Sequence, residues 1–310
     1  MRVAPGRETV LFIVGPTAVG KTGLAVKLAR RLNGEIVSCD SMQVYKAMPI
    51  LSQAPCARDK KAVRHHLVGI VEPSGEYSVA SFLKQATKAI ESILKRGKQP
   101  IVVGGTGLYA KALIDGLFPS PEADLVFRKK MQEYAARYGN KKLYAKLVKI
   151  DPDAAVKIHP NDIRRVIRAL EIYQATGKTM TELKLQTKGL SDKYSIKIFG
   201  LTRLREKLYK VIDGRVECML AAGLVREVKR LKKRRLSKTA QAVLGFKEID
   251  GYLKGEYSLA DAAALLQMNT RRFAKRQFTW FKADKRVKWL DLGRLGQQKA
   301  VAKIVKQIKG

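Results

Sequence analysis

Cysteine and histidine are scarce in this sequence, and their scarcity excludes two classes of protein. The 310 residues include only three cysteines, with no CxxC pair, and three histidines. A Cys/His zinc cluster needs several such ligands at close spacing, and a disulfide framework needs paired cysteines. We therefore expect neither, and we predict that the cysteines are small buried apolar residues. The residues concerned are Cys39, Cys56, Cys218, His65, His66 and His159.

Long apolar runs are missing as well. No stretch of the sequence approaches the roughly 20 apolar residues that cross a bilayer as a helix. The opening text MRVAPGRETVLFIVG contains an apolar run of only five residues, which is shorter than the core of a secretory signal. We expect a cytoplasmic protein without a membrane-spanning segment.

Acidic side chains are few compared with basic ones. The chain has 62 lysines and arginines against 27 aspartates and glutamates, which gives a net charge of +35. Residues 196–310 alone carry 29 basic and 10 acidic side chains. Such an excess predicts a polyanionic partner, either a nucleic acid or an acidic membrane surface. The alternative is a generally basic composition with no specific partner.

Short apolar runs alternate with helical patterns in the first 120 residues. The runs VLFIV (10–14), EIVSC (35–39) and PIVVGG (100–105) predict buried strands. Apolar residues recur at helical spacing over 22–32 and 78–98 between them. This alternation predicts an α/β fold in which helices cover a parallel sheet.

The pattern changes at PSPE (119–122), beyond which it becomes helical and strongly charged. We predict an all-helical insertion over 121–194. SIKIFGL (195–201) then predicts a return to the sheet, and WLDL (289–292) is a candidate for one more strand. The predicted core is therefore formed by residues 1–120 and 195–310, with basic helices near the C-terminus.

The text GPTAVGKT fits the pattern of a phosphate-binding loop between a predicted strand and a predicted helix. Its glycines let backbone amides turn toward an anion, and the helix N-terminus adds partial positive charge. The lysine neutralises phosphate oxygens, and the threonine hydroxyl is placed to ligate Mg²⁺. The pattern predicts a di- or triphosphate site made of Gly15, Pro16, Thr17, Ala18, Val19, Gly20, Lys21 and Thr22.

An acidic metal ligand is missing from the strand where phosphate-loop ATPases usually carry one. That candidate strand ends IVVGGTG, without an acid. The nearest acid at a strand end is Asp40, in DSMQVY. Asp40 has three interpretations from the residues alone: a metal ligand, a general base, or the N-cap of a helix.

Nine collinear blocks resemble the bacterial tRNA dimethylallyltransferase family, which is also called the tRNA isopentenyltransferase family. The resemblance covers nearly the whole chain, and it implies a P-loop NTPase-like core with a helical insertion that binds tRNA. The blocks are GPTAVGKT (15–22), DSMQVYK (40–46), HHL (65–67), YSVASF (77–82), PIVVGGTGLY (100–109), HPNDIRRVIRALEIYQATGK (159–178), RVECMLAAGLVREV (215–228), LGFKEI (244–249) and NTRRFAKRQFTWF (269–281).

The resemblance implies transfer of a dimethylallyl group from dimethylallyl diphosphate to the exocyclic N6 amine of an adenosine. That adenosine lies on the 3′ side of the anticodon and must leave its stack to react. The loop would then hold a diphosphate leaving group with Mg²⁺ rather than ATP. The implied catalytic residues are Asp40 as general base, Lys21 and Arg215 at the diphosphate, and Thr106 at the reacting end.

The resemblance also implies a monomer with no membrane partner, whose macromolecular partner is the anticodon stem-loop of tRNA. In the arginine-rich block, Ile163, Val166, Ile167 and Leu170 form an apolar helical stripe, and the arginines lie largely off it. The implied tRNA contacts are Asp40, Ser41, Met42, Gln43, Thr106, Arg128, Arg164, Arg165, Val166, Ile167 and Arg168. In RRFAKRQFTW (271–280), basic and aromatic residues interleave, which predicts tRNA contacts at Lys275, Arg276 and Gln277. We expect the aromatics there to form the core face of an amphipathic helix.

One segment departs from the family, and three rival functions stay open. After DSMQVYK the text is AMPILSQAPCA, where the family usually has a glycine-threonine-alanine-lysine-proline turn. A prenyltransferase acting on free adenylate would not need the basic insertion. A P-loop kinase or ATP-driven motor would need the missing acid, and an RNA-binding protein with a degenerate loop would not need Lys21, Thr22 and Asp40.

Overall fold

Six strands form one parallel sheet in this computed structural model, which describes residues 7–118 and 121–309. The strands are β1 (Thr9–Val14), β2 (Gly34–Ser38), β3 (His65–His66), β4 (Gln99–Gly104), β5 (Ser195–Thr202) and β6 (Val287–Asp291). Their order across the sheet is β3–β2–β4–β1–β5–β6. The predicted α/β class is confirmed, and the predicted strands agree with these bounds to within a residue or two. Only the two-residue strand β3 was not predicted.

The register of the central strands brings their carboxyl ends to one edge. Val14 of β1 lies opposite Gly104 of β4 and Gly200 of β5. The loops that follow these strands therefore start at the same level. In open parallel sheets, ligands bind at this edge.

Helices cover both faces of the sheet, as the alternation of apolar residues in β1 requires. Val10, Phe12 and Val14 belong to one apolar core, and Leu11 and Ile13 belong to the core on the opposite face. The helices that accompany the sheet are α1 (Lys21–Arg31), α2 (Ala57–Ala62), α3 (Val79–Lys95), α4 (Gly107–Asp115), α10 (Leu190–Lys193), α11 (Arg205–Ala221), α12 (Leu224–Lys232), α13 (Lys238–Gln241), α14 (Phe246–Leu253), α15 (Leu259–Lys282) and α16 (Leu292–Lys309).

A buried carboxylate fixes the edge of the sheet at β3. Glu35 of β2 is only 2% exposed, yet it bonds three cationic or imidazole groups. His66 Nε2 lies 2.7 Å from its carboxylate, Arg96 donates at 2.7 Å and Lys98 at 2.9 Å. Burial alone would raise the pKa of Glu35, but these bonds lower it to about 2. The short strand is thus anchored by side chains as well as by its backbone.

The chain divides into two compact units, Met1–Ile114 with Leu190–Gly310, and Asp115–Gly189. The second unit is all-helical, with an apolar core that includes Leu143, Leu147 and Val166. The sequence places its start at 121, beside residues 119 and 120, which lie outside the described part. The sequence places the end of the helical insertion at 194, but Leu190 is buried in the core of the unit that contains the sheet. The helices are α5 (Leu125–Tyr138), α6 (Asn140–Ile150), α7 (Pro152–Lys157), α8 (Ile163–Thr176) and α9 (Met180–Leu185).

Two of the cysteine predictions are wrong. Cys39 is buried, but Cys56 and Cys218 are exposed. Cys56 precedes the short helix α2, in which no residue is buried, and Cys218 lies away from the buried positions of α11. Nowhere in residues 7–118 and 121–309 does a helix combine the length and apolar character needed to cross a membrane. Residues 1–6, the first part of the stretch considered above as a secretory signal, lie outside the described range.

Candidate active site

The phosphate-loop sequence forms the turn between β1 and α1, as predicted. Gly15 has a φ of +136° and Gly20 a φ of +106°, both unfavourable for residues with a side chain. A Cβ at residue 15 would lie 2.5 Å from the carbonyl oxygen of Leu201. The first glycine is therefore required by its φ and by the close approach of β5.

The ammonium of Lys21 is held inside this turn. Its Nζ donates to the carbonyl oxygens of Gly15 at 2.9 Å and Pro16 at 2.8 Å. Because an ammonium has three N–H donors, one remains for an anion. Burial lowers the pKa of Lys21 to about 8, although the nearby charge of Asp40 raises it. The next side chain, Thr22, lines the adjoining cavity.

Asp40 follows β2 and does not cap a helix, because residues 41–44 form a turn. Its Oδ1 accepts from the amide of Met42 at 2.9 Å and, more weakly, from that of Gln43 at 3.4 Å. Burial raises the pKa of Asp40, while the Met42 amide and the charge of Lys21 oppose that rise. No hydrogen bond joins Oδ2 to another residue of the described chain, so one oxygen orients the carboxylate and the other can accept a proton.

Thr106 lies beside Asp40 because the ends of β2 and β4 are packed tightly together. Its Oγ1 accepts from the amide of Ser41 at 3.1 Å. A Cβ at residue 104 would lie only 1.9 Å from the carbonyl oxygen of Cys39. Glycine at 104 therefore permits the approach that brings the hydroxyl of Thr106 to the loop of Asp40.

Two helices from the C-terminal part of the chain reach the phosphate loop. Arg215 of α11 donates to Thr17 Oγ1 at 3.4 Å, and burial lowers the pKa of this arginine. Gln277 of α15 is only 6% exposed, and its Oε1 accepts from the amide of Thr17 at 2.8 Å. The predicted contact between the Gln277 side chain and tRNA is not supported by this position, since the side chain is buried against the loop.

A cavity of about 460 Å³ lies between these elements. Four predicted site residues lie outside its lining: Lys275, which is exposed, and Gly15, Pro16 and Val19, which are buried. The four predicted catalytic residues thus converge on one space. The predicted site residues that line it are Thr17, Ala18, Gly20, Lys21, Thr22, Asp40, Ser41, Met42, Gln43, Thr106, Arg215, Arg276 and Gln277.

The apolar side of this cavity was not predicted as part of the site. It is formed by Ile212, Val216 and Met219 of α11 together with Leu244 and Leu266. Their helical spacing is the same signal that marks an ordinary core face. Sequence spacing alone could not distinguish a wall that faces a cavity from one that faces another helix.

Two polar residues of the lining, Gln53 and His65, were also missed. The carbonyl oxygen of Gln53 accepts from Gln43 Nε2 at 3.1 Å, and Ser38 Oγ donates to Gln43 Oε1 at 2.9 Å. Both ends of the Gln43 amide are therefore engaged within the chain. His65 belongs to the block HHL, which was the available signal for its place at the site.

The segment that departs from the family pattern is fixed by a buried acid. Glu227 of α12 is fully buried, and its carboxylate accepts from the amides of Ile50 at 3.0 Å and Leu51 at 2.8 Å. Burial raises the pKa of Glu227 even though these amides lower it. The carboxylate holds Leu51 against the cavity, where Leu51 is part of the lining.

In the helical unit, Arg128 and Arg168, both predicted to contact tRNA, bind Glu171. This glutamate is 1% exposed, and Arg128 donates to both of its oxygens at 2.9 Å. Arg168 also donates to Glu171. Burial alone would raise the pKa of Glu171, but these bonds hold it below its ordinary value. Both arginines are thus parts of an ion-pair cluster around buried Glu171, with 36% of the Arg128 side chain and 29% of the Arg168 side chain exposed.

The rest of that predicted arginine block divides by helix face. Val166 and Ile167 are buried in the apolar core, which confirms the stripe and excludes side-chain contact with a partner at these two positions. Arg164 and Arg165 are exposed. Arg165 pairs with Asp162 at 2.8 Å. Arg164 makes no ion pair with any of the described residues.

The arrangement in the cavity suits a ligand with a phosphorylated end and an apolar remainder. Amides of the phosphate loop, Lys21 and Arg215 form a cationic end. The α11 wall provides apolar surface, and Asp40 offers a carboxylate next to Thr106. Thr22 and Asp40 supply oxygen atoms, the ligand type that Mg²⁺ prefers.

Comparison with known proteins gives a consistent result over the whole chain. Residues 43–284 match the family profile of IPP transferase. The chain is 48% identical over 307 residues to a tRNA dimethylallyltransferase of Halothermothrix orenii, covering 98% of this chain and 94% of the relative.

Solved structures agree with this match. A full-length tRNA isopentenylpyrophosphate transferase from Bacillus halodurans has a TM-score of 0.73 at 42% identity, with 98% of this chain and 96% of that chain covered. A eukaryotic dimethylallyltransferase acting on tRNA has a TM-score of 0.78 at 33% identity, with 97% of this chain and 80% of that chain covered. These likenesses extend beyond the phosphate loop to both units.

Proposed function

Since the chain belongs to the IPP transferase family, we propose that it transfers a dimethylallyl group from dimethylallyl diphosphate to tRNA. Membership of this family makes it a prenyltransferase that modifies tRNA. The acceptor we propose is the N6 amine of the adenosine next to the anticodon on its 3′ side. The observation that carries this proposal is the convergence of a phosphate cradle, a carboxylate and an apolar wall on one cavity.

In this reaction the phosphate loop binds the diphosphate of the donor. The Thr17 amide is already bonded to Gln277, so the amides of residues 18–22 remain for phosphate oxygens. Lys21 donates its third N–H to the diphosphate, and the Arg215 guanidinium adds a second positive charge. Negative charge grows on the diphosphate as the C–O bond breaks, and these fixed donors stabilise it.

Asp40 would take the proton from the attacking amine. Its Oδ1 is fixed by the Met42 amide, which leaves Oδ2 to accept the proton. The Thr106 hydroxyl, fixed by the Ser41 amide, would hold the amine end of the adenine. The apolar wall of α11 would surround the dimethylallyl group and exclude water that could otherwise capture the developing carbocation.

The residues present fit a magnesium ion bound together with the substrate. The Thr22 hydroxyl lines the cavity, and no described residue makes a hydrogen bond to it. Mg²⁺ is commonly held by few protein oxygens and by substrate phosphates. Thr22 and the diphosphate would hold it, and the chemistry supplied there is neutralisation of the leaving group.

The partner we propose is the anticodon stem-loop of tRNA, bound by a monomer in the cytoplasm. The net charge of +35 supports this proposal, because lysines and arginines that neutralise phosphates dominate affinity for nucleic acids. Arg164, Arg165, Lys275 and Arg276 are exposed and free to approach phosphates. Arg128 and Arg168 bind Glu171 but keep 36% and 29% of their side chains exposed.

A transfer assay with three acceptors tests the proposed function. The protein is incubated with labelled dimethylallyl diphosphate and Mg²⁺, together with tRNA, AMP or no acceptor. We expect label in tRNA only, and nuclease digestion should recover it on a modified adenosine. Label in AMP would favour the free-adenylate prenyltransferase. Binding of tRNA without transfer would favour a simple RNA-binding protein, and hydrolysis or transfer of an ATP phosphate would favour a kinase or motor.

Arg164 and Arg168 should respond differently to replacement by alanine. Arg164→Ala should weaken tRNA binding and reduce the salt slope of log Kd by about one, because one phosphate contact is lost. Arg168→Ala should lower the thermal midpoint, because buried Glu171 loses a partner. Salt titrations of tRNA binding and thermal melts of both variants separate the two effects. An unchanged salt slope for Arg164→Ala would make Arg164 a solvated surface residue.

A further inference from the structure

Gln277 occupies an unusual position on an otherwise basic helix. Its neighbours Lys275 and Arg276 are exposed, whereas the Gln277 side chain is only 6% exposed. A buried amide costs free energy unless its donor and acceptor are both satisfied. Its two hydrogen bonds therefore indicate what the burial of this polar side chain accomplishes.

The two ends of the Gln277 amide join two different loops. Oε1 accepts from the amide of Thr17 in the phosphate loop at 2.8 Å. Nε2 donates to the carbonyl oxygen of Gly105 at 3.0 Å. Gly105 lies directly before Thr106, so the bridge links the donor-binding loop to the loop that presents the hydroxyl proposed to hold the acceptor.

Gly105 is shaped for this contact. Its φ is not positive, so φ alone does not demand glycine at this position. However, a Cβ at this residue would lie 2.1 Å from Gln277 Nε2, and the next nearest atoms are Gln277 Cδ at 3.1 Å and the Gly15 carbonyl oxygen at 3.4 Å. A side chain at residue 105 would therefore have to displace the Gln277 amide from its present position.

We infer that Gln277 is a positioning residue that sets the distance and register between the phosphate loop and the Thr106 loop. This inference rests on the proposed function. In that reaction the phosphate loop places the carbon of the dimethylallyl group, and Thr106 and Asp40 place the attacking amine. A displacement between the two loops would misalign donor and acceptor without removing a binding group for either substrate.

Two replacements of Gln277 separate this bridge from a contact with tRNA. Gln277→Leu removes both hydrogen bonds. Gln277→Glu keeps an acceptor for Thr17 but directs a second oxygen at the Gly105 carbonyl. We expect both to lower kcat by about 10- to 100-fold, with the KM for tRNA changed by less than about threefold. Gln267→Leu and Gln267→Glu are matched controls, because Gln267 is a partly exposed glutamine on the same helix, outside the cavity lining.

Gly105→Ala tests the contact from the other side. Its added methyl should displace Gln277 and lower kcat to a similar degree. In the double variant Gly105→Ala/Gln277→Ala the clash is absent, so the loss should not exceed that of Gln277→Ala alone. Such strong non-additivity is expected only for side chains in contact.

Amide hydrogen exchange gives a readout that does not depend on activity. The Thr17 amide should exchange faster in Gln277→Leu than in the wild type, while Gln277→Glu should retain more of its protection. Thermal melts of every variant show whether a fall in kcat merely follows loss of folded protein, in which case the positioning role is wrong.

The possible failures can be distinguished. A wild-type protein that transfers no label to tRNA contradicts the proposed function. An active wild type with equally active Gln277 variants contradicts the positioning role alone. A raised KM for tRNA with unchanged kcat would return Gln277 to the role of a tRNA contact.

Discussion

Asp40→Asn should lower kcat for prenyl transfer by about 10²- to 10⁴-fold, the usual contribution of a general base. The carboxamide introduced by Asp40→Asn retains an oxygen that can accept a hydrogen bond from the Met42 N–H, as Asp40 Oδ1 does at 2.9 Å in the native turn. What it loses is the ability to take a proton. Affinity for tRNA should remain within a few-fold, since the turn at residues 41–44 is preserved. Single-turnover transfer at saturating tRNA measures the chemical step directly.

The pH dependence of the same step provides a second check on Asp40. Burial raises the pKa of this carboxyl above its ordinary value, with partial opposition from the Met42 amide and Lys21. A general base must be deprotonated to act, so kcat/KM should increase as pH rises through this elevated pKa. Asp40→Asn should show no such limb.

A control variant with the same loss of charge is available in the helical unit. Asp153 is exposed on α7, and Asp153→Asn should transfer at the wild-type rate. If Asp40→Asn were equally active, Asp40 would be only the residue that closes the turn after β2. Asp40→Ala, which removes both the turn acceptor and the base, should be no more active than Asp40→Asn.

The parts of the fold that could be predicted are those encoded by contiguous residues. The strands β1, β2 and β4 come from short apolar runs, because strands buried on both faces need apolar residues at successive positions. The phosphate loop could be located because its backbone demands glycine at fixed offsets from the lysine, and Gly15 and Gly20 do have positive φ values. Strand β3 has two residues and no periodicity to detect.

Contacts between distant parts of the chain could not be predicted in this way. Thr17 and Gln277 are 260 positions apart, and no local pattern relates them. The basic residues around Gln277 favoured contact with tRNA. The structure instead buries the Gln277 amide against the phosphate loop. Its two hydrogen-bond partners, the Thr17 amide and the Gly105 carbonyl, both lie in loops at the carboxyl edge of the sheet.

Residue type alone also could not separate the arginines of the helical unit. Arg164 and Arg168 lie in one block, IRRVIRALE, and both were assigned to tRNA. Their difference depends on Glu171, which lies one turn after Arg168 and is buried. A buried carboxylate requires cationic partners, and Arg128 and Arg168 provide them. The burial of Glu171, which brings Arg128 and Arg168 into ion pairs, is a property of the folded unit.

Lys21→Ala should lower kcat/KM for dimethylallyl diphosphate by about 10²- to 10³-fold, comparable to loss of a donor that stabilises developing negative charge. Lys21 is the cation inside the loop, held by the carbonyls of Gly15 and Pro16 at 2.9 and 2.8 Å. The KM for tRNA should change little, because the proposed phosphate contacts of tRNA lie on other residues. An exposed lysine of α1, Lys27, supplies the control Lys27→Ala.

Lys21 should also set the alkaline limb of the pH profile. Its pKa is lowered by burial to about 8, and only the protonated ammonium can stabilise the leaving diphosphate. The kcat/KM for the donor should therefore fall as pH rises past about 8. In Lys21→Arg the guanidinium stays charged over this pH range, so this variant should lack the alkaline limb. It should be slower than the wild type at neutral pH, because a planar guanidinium replaces a compact ammonium. If wild type and Lys21→Arg had the same alkaline limb, a group other than Lys21 would be responsible for it.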